Sequence, residues 1–174
     1  EGVYRHAVRQ VIFLGDFIDR GPKQLETISI VRPMVEQGAA LAVMGNHEFN
    51  ALAWYHEDPE SAGEYLRPRT EKNHRQHRHF LAEVNADAEL HGQLMDWFKT
   101  LPLYLDLPGL RVIHACWHPE DLAHIQPQLD ADNCITDALL IAASRREAAE
   151  YGAIETLLKG LETPLPEGII FHDK

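Results

Sequence analysis

Three times along this chain a short apolar run stops abruptly in a polar turn, and no other sequence feature constrains the fold as tightly. Val11-Ile12-Phe13-Leu14 runs into Gly15-Asp16-Phe17-Ile18-Asp19-Arg20-Gly21, and Leu41-Ala42-Val43-Met44 into Gly45-Asn46-His47-Glu48. Later, Leu110-Arg111-Val112-Ile113 runs into His114. Short apolar runs bounded by turn residues suit buried strands. Strands that end in Asp, Asn and His place metal-type donors on one rim of a sheet. In open α/β sheets that rim, outside the carboxyl ends of the strands, is where ligands bind.

Between the first two turns Leu25, Ile28, Val31 and Val35 recur at helical spacing, which predicts a helix over Lys23 to Gln37 with Gly38 as its stop. Pro33 lies inside that run and predicts a kink or an end near Val31, since proline lacks the N–H that the helix needs. Strand, helix and strand then form one βαβ unit with parallel strands. Beyond the second turn, Phe49 to His56 reads as a short helix and residues 58–70, with Pro59, Gly63 and Pro68, as a loop. Glu71 to Val84 reads as a helix. Leu90, Leu94, Trp97, Phe98 and Leu101 mark an amphipathic helix stopped by Pro102. Leu103 to Leu107 and Leu110 to Ile113 flank Pro108-Gly109 as a hairpin. Thr136 is placed to cap a helix through Glu150, and Ala153 to Lys159 forms another ending at Gly160. The 174 residues hold no repeat or linker, so residues 1–174 are expected to form a single domain, with a helical cap insertion at about 57–100.

Charge narrows the partners. Sixteen basic residues stand against 27 acidic ones, a formal net charge of −11. Such a surface repels polyanions, so general nucleic-acid binding and anionic-membrane binding are not expected. No apolar run approaches the roughly 20 residues that cross a bilayer. Cys116 and Cys134 are the only cysteines and lie in no paired motif, which points to a reducing compartment. A cytoplasmic location is the expectation.

Two carboxylates three residues apart, Asp16 and Asp19, would repel unless a cation or proton donor stood near them. Arg20 beside them offers a planar fork suited to phosphate or carboxylate. The plain alternative is an acidic turn closed by an Asp–Arg pair. In the second turn Asn46, His47 and Glu48 bring an amide oxygen, an imidazole and a carboxylate. The plain alternative there is a helix start with Asn46 as N-cap and Glu48 favouring the helix dipole. His74, His77 and His79, set among Arg67, Arg69, Lys72, Arg75 and Arg78, read as a solvated basic helix rather than a third site. Cys116 has no base beside it and reads as a buried thiol.

The Gly-Asp-x-x-Asp-Arg-Gly turn at 15–21, the Gly-Asn-His-Glu turn at 45–48 and the His after a strand at 114 resemble the middle three sequence blocks of the calcineurin-like metallophosphoesterases, over roughly residues 10–118. The resemblance implies an α/β fold, a metallophosphoesterase-type sandwich of mixed β-sheets flanked by helices. It implies two divalent metal ions, manganese, iron or zinc, with Asp16 bridging them and Asn46 and His114 on the second. It further implies that Asp19 holds His47 for proton transfer and that Arg20 binds the substrate phosphate. The implied reaction is hydrolysis of a phosphate ester by in-line attack of a metal-bound hydroxide, on a phosphorylated small molecule, a nucleotide or a phosphoprotein.

Two blocks of the family are missing. A D-x-H block belongs some tens of residues before Asp16, where only fifteen residues stand, and His6 follows Tyr4 and Arg5. The closing G-H-x-H-like turn is also absent, because His172 sits in Phe171-His172-Asp173. The expectation is therefore a domain truncated at both ends. Asp19 favours the protein-phosphatase-like branch, whereas Met44 and Ala115-Cys116 depart from it. The alternative is a dinucleoside tetraphosphate hydrolase or other phosphodiesterase. From another class, the alternative is a non-catalytic binding module that keeps the fold.

Overall fold

β1 (Val11–Phe13) and β2 (Ala40–Ala42) pair in parallel, Val11 opposite Ala40 and Phe13 opposite Ala42. Parallel neighbours need a crossover, and α1 (Gln24–Glu36) supplies it. These elements come from a computed structural model, which describes residues 2–166 and 168–170; Phe171 and His172 lie outside the described residues. The βαβ unit is thus as the apolar spacing predicts. Pro33 does not end α1, however. Val31 and Met34 are buried, and the chain still donates Gln37 N to the Pro33 carbonyl at 3.1 Å. Burial of that face holds the last turn despite the missing donor.

α2 (Asn46–Tyr55) begins directly at the second polar turn. Gly45, in an extended conformation, is its N-cap, so Asn46 is the first helical residue rather than the cap. α3 (Glu71–Val84) starts on the Thr70 hydroxyl, which accepts from Asn73 N. α4 (Ala88–Lys99) starts on the Asp87 carboxylate, which accepts from Leu90 N. Phe80, Val84, Leu94, Trp97 and Phe98 of α3 and α4 join Ile28, Val31 and Leu52 in one core. Each such side chain contributes about 1.5–3 kcal/mol by leaving water. α3 and α4 are therefore packed into the same core as the βαβ unit.

β3 (Tyr104–Leu107) and β4 (Leu110–Ile113) form the antiparallel hairpin, turning at Gly109 with φ +77°. α5 (Pro119–Ile125) follows, with Pro119 at its first position. The one helix predicted from Thr136 to Glu150 is two pieces, α6 (Asp137–Ala142) and the start of α7 (Ala149–Lys159). The chain leaves the helix where Arg145 turns to grip Asp58, with both carboxylate oxygens at 2.5 Å. That pairing, helped by the Glu60 N–H, lowers the Asp58 pKa to about 2. Past the strand ends, Val43 N bonds the Phe13 carbonyl at 3.0 Å and Met44 N the Pro102 carbonyl at 2.9 Å. The two strand pairs are thereby drawn to one edge, where the polar turns lie. Among the described residues, no helix is long and apolar enough to cross a membrane.

Candidate metal centre

The first two polar turns touch. A Cβ on Gly15 would collide with the Gly45 backbone, and a Cβ on Gly45 with the Asp16 carboxylate. Glycine at both positions is what lets the strand ends close up. Glu48 holds them closed. Its fully buried carboxylate accepts from Asp16 N and Phe17 N, both at 2.8 Å, and from Gly45 N at 3.0 Å. Burial raises the Glu48 pKa, and the three N–H donors work against that rise. Asp16 and Asp19 both sit in the left-handed region, φ +57° and +65°, which short Asp side chains tolerate at some cost.

From this frame Asp16, Asn46 and His114 converge. His114 Nδ1 meets the Leu14 carbonyl oxygen, which can only accept, so Nδ1 carries the proton. In the neutral ring, Nε2 then presents a lone pair. It faces Asn46 Oδ1 at 3.2 Å and Asp16 Oδ1 at 3.5 Å. Two oxygens this close to a nitrogen lone pair repel it unless a cation lies among them. Ligands about 2.1 Å from a tetrahedral ion stand about 3.4 Å apart, so this spacing fits one. A ring proton donated to a backbone carbonyl is also the usual support for a metal-bound histidine. Oxygen and imidazole without thiolate suit manganese, iron or zinc. Among the described residues no group of three or more His, Cys, Asp or Glu side chains is by itself placed to hold a metal ion, and it is the Asn46 amide that completes this trio.

Asp19 faces the other way. Its carboxylate accepts from His47 Nδ1 at 2.9 Å and from His77 Nδ1 at 2.8 Å, and its side chain is 2% exposed. Burial alone would raise the Asp19 pKa, but the two imidazole donors outweigh it and the net shift is downward. With Nδ1 bound to Asp19, His47 turns Nε2 toward the metal side, 4.0 Å from Asp16 Oδ2. Arg20 stands exposed on the turn beside Asp19. Five of the six expected site residues are thus brought together, and Arg20 lies at their solvent side.

Two contributors escaped the sequence reading. Glu48 is the tie between the turns rather than a helix-dipole charge. His77 is buried against Asp19, not solvated, with its Nε2 left without a partner among the described residues. A signal for His77 was present, because it shares helical spacing with Phe80, Leu81 and Val84 on the buried face of α3. His74 remains exposed, its ring tilted by 44° to that of Trp54 with centroids 6.1 Å apart.

Sequence comparison identifies the family in which this strand-edge site falls. The family model of the calcineurin-like phosphoesterases matches residues 3–143, and the chain belongs to that family. Among curated proteins it is similar to the symmetrical bis(5'-nucleosyl)-tetraphosphatase of Thioalkalivibrio sulfidiphilus, 28% identical over 91% of this chain and 45% of that protein. It is also similar to asymmetrical bis(5'-nucleosyl)-tetraphosphatases. That of Bacillus subtilis is 30% identical over 66% of this chain and 45% of the protein, and that of Oceanobacillus iheyensis 28% identical over 66% and 44%. The chain spans a little under half the length of these relatives. No solved structure matches it. All three are named as tetraphosphatases, and none as a protein phosphatase, the branch that Asp19 suggested.

Proposed function

We propose that this chain carries the central part of a metal-dependent hydrolase acting on dinucleoside tetraphosphates. The single observation that carries the reading is the convergence of Asp16 Oδ1, Asn46 Oδ1 and His114 Nε2 beside a His47–Asp19 pair. Asp16, Asn46 and His114 would hold the metal, with the remaining ligands supplied by the two sequence blocks this chain does not contain. Bound divalent ions would neutralise phosphate charge and make water a better nucleophile. The other work falls to side chains. Asp19 fixes the His47 tautomer by accepting its Nδ1 proton, and a protonated Nε2 can pass a proton to the departing oxygen. Arg20, exposed next to the pair, would bind the substrate phosphate through its planar fork.

The choice of substrate class rests on the relatives, whose names cover both symmetrical and asymmetrical cleavage. The test is hydrolysis by the full-length protein with manganese, comparing diadenosine tetraphosphate, a phosphopeptide and nitrophenyl phosphate. The expected result is the highest kcat/KM on the tetraphosphate. Products of two nucleoside diphosphates would mark symmetrical cleavage; a triphosphate and a monophosphate would mark asymmetrical cleavage. Preference for the phosphopeptide would restore the protein-phosphatase reading. Metal binding with no turnover of any substrate would favour a non-catalytic module.

A further inference from the structure

One cleft of the molecule has the wrong charge for its surroundings. It holds about 310 Å³ between α2, the Leu66–Pro68 segment leading to α3, and the α6–α7 region. Its walls carry Arg67, Lys72, Arg146 and Lys159 against a single carboxylate, Glu155, in a chain whose net charge is −11. The cations are poorly neutralised. Lys159 pairs with Glu155. Arg67, half-buried, is held among the described residues by neutral amide oxygens, Gln76 Oε1 at 2.8 Å and Asn73 Oδ1 at 3.4 Å. Lys72 and Arg146 are exposed and enter no ion pair among the described residues. A half-buried guanidinium oriented by amides and flanked by free cations is an anion site in charge and in shape.

Both walls are tied to the candidate metal ligands. α2 begins with Asn46 and His47, and Asn50, one helical turn further on, already lines the cleft. The opposite wall is α7, whose Leu157 carbonyl accepts from Ala115 N and Cys116 N, directly after His114. Arg67 itself is anchored to α2 by its backbone N–H on the Ala53 carbonyl at 2.8 Å, and Asp19 is among the charges acting on its guanidinium. The cleft is thus a continuation of the metal edge along α2.

We propose that this cleft binds the distal phosphates of a nucleoside polyphosphate whose scissile phosphate lies at the metal edge. This deepens the substrate reading above and rests on it for the identity of the ligand. The basic segment from Arg67 to Arg78 then divides: Arg67 and Lys72 face the substrate, whereas Arg75 and Arg78 lie outside the cleft.

The experiment has two arms. In the first, inorganic tripolyphosphate is titrated calorimetrically into the metal-free full-length protein in chelator. The Lys72→Gln/Arg146→Gln double variant should weaken binding about tenfold or more, the scale expected when charge-assisted hydrogen bonds are lost. Arg75→Gln/Arg78→Gln should bind as the parent does. In the second arm, with manganese, the double variant should lower the ratio of kcat/KM on diadenosine tetraphosphate to that on nitrophenyl phosphate, through KM. Parental affinity of the Lys72/Arg146 variant for tripolyphosphate, or an equal loss on both substrates, would overturn the proposal. Turnover of nitrophenyl phosphate without turnover of the tetraphosphate would instead sink the substrate reading, and the tripolyphosphate titration would still decide whether the cleft is an anion site.

Discussion

Asp16 and Asp19 look alike in sequence and in backbone, yet their surroundings divide the site into two halves. They share one turn and the same left-handed conformation. Asp16 is 29% exposed in its side chain, and its Oδ1, which accepts from His47 N at 3.3 Å, also lies 3.5 Å from His114 Nε2, so its half suits a cation. Asp19 is 2% exposed and saturated by two imidazole donors, so its half is complete without one. On the proposed reading, identical chemistry would be put to different work by what faces it: metal binding on one side, proton handling on the other.

The sharpest way to break that division is to remove the charge at each carboxylate in the full-length protein. Asp16→Asn keeps the side-chain size and the tolerance for positive φ, but a neutral amide cannot offset a dication. Metal occupancy and turnover should both collapse. Near-normal activity at full metal occupancy would show that Asp16 is not a ligand.

Next in size is His47→Asn, which should leave the metals bound. A general acid typically contributes about 10²–10⁴-fold, and it matters most when the leaving oxygen is basic. The variant should therefore slow hydrolysis of an alkyl phosphate far more than of nitrophenyl phosphate. Asp19→Asn should show the same bias more weakly. Loss of metal from either variant would erase the boundary between the halves.

Glu48 joins the two turns that carry both halves, so its variant should damage them together. Glu48→Gln keeps the shape but sets an amide NH₂ against backbone donors that now meet the carboxylate. A stability loss of about 1–3 kcal/mol is expected from unpaired buried groups, read as a lower chemical-denaturation midpoint with an unchanged slope. Metal affinity should fall as well. If stability falls while metal affinity stays at the parental level, Glu48 is a fold tie alone.

Much of this was legible in the sequence because it depends on local spacing. The strand–turn junctions at 14–16 and 44–46 place Asp16, Asn46 and His47 whatever the rest of the chain does. Local signals also set the hairpin at Pro108-Gly109 and the stop at Gly160. What was missed depends on distant partners. The break after Ala142 answers to Asp58, eighty-seven residues from Arg145. The roles of Glu48 and His77 depend on backbone donors and a carboxylate that arrive 31 to 58 residues away in sequence. The neglect of α5 is different, since Pro119, Glu120 and Asp121 after His118 are a local helix start that could have been read.

The smallest effect, and the finest test of the comparison, lies at His77. It touches Asp19 but not the metal half, and Gln at that position can still donate one hydrogen bond while losing the aromatic ring. His77→Gln should cost about 1 kcal/mol at neutral pH, the scale of one charge-assisted bond partly replaced. The pH dependence has a definite sign. Asp19 is held below its ordinary 3.8 by the two imidazoles, so their contribution to stability is present above that pH and is lost as pH falls through the lowered native value. The stability gap between parent and variant should therefore be flat above about pH 4 and close as acid protonates Asp19. The leaving-group bias of the variant should resemble a weak Asp19→Asn, with metal occupancy at the parental level. A gap that persists unchanged into acid would mean that His77 acts through its packing against Trp54 and Phe80, and that the proton half of the site consists of Asp19 and His47 alone.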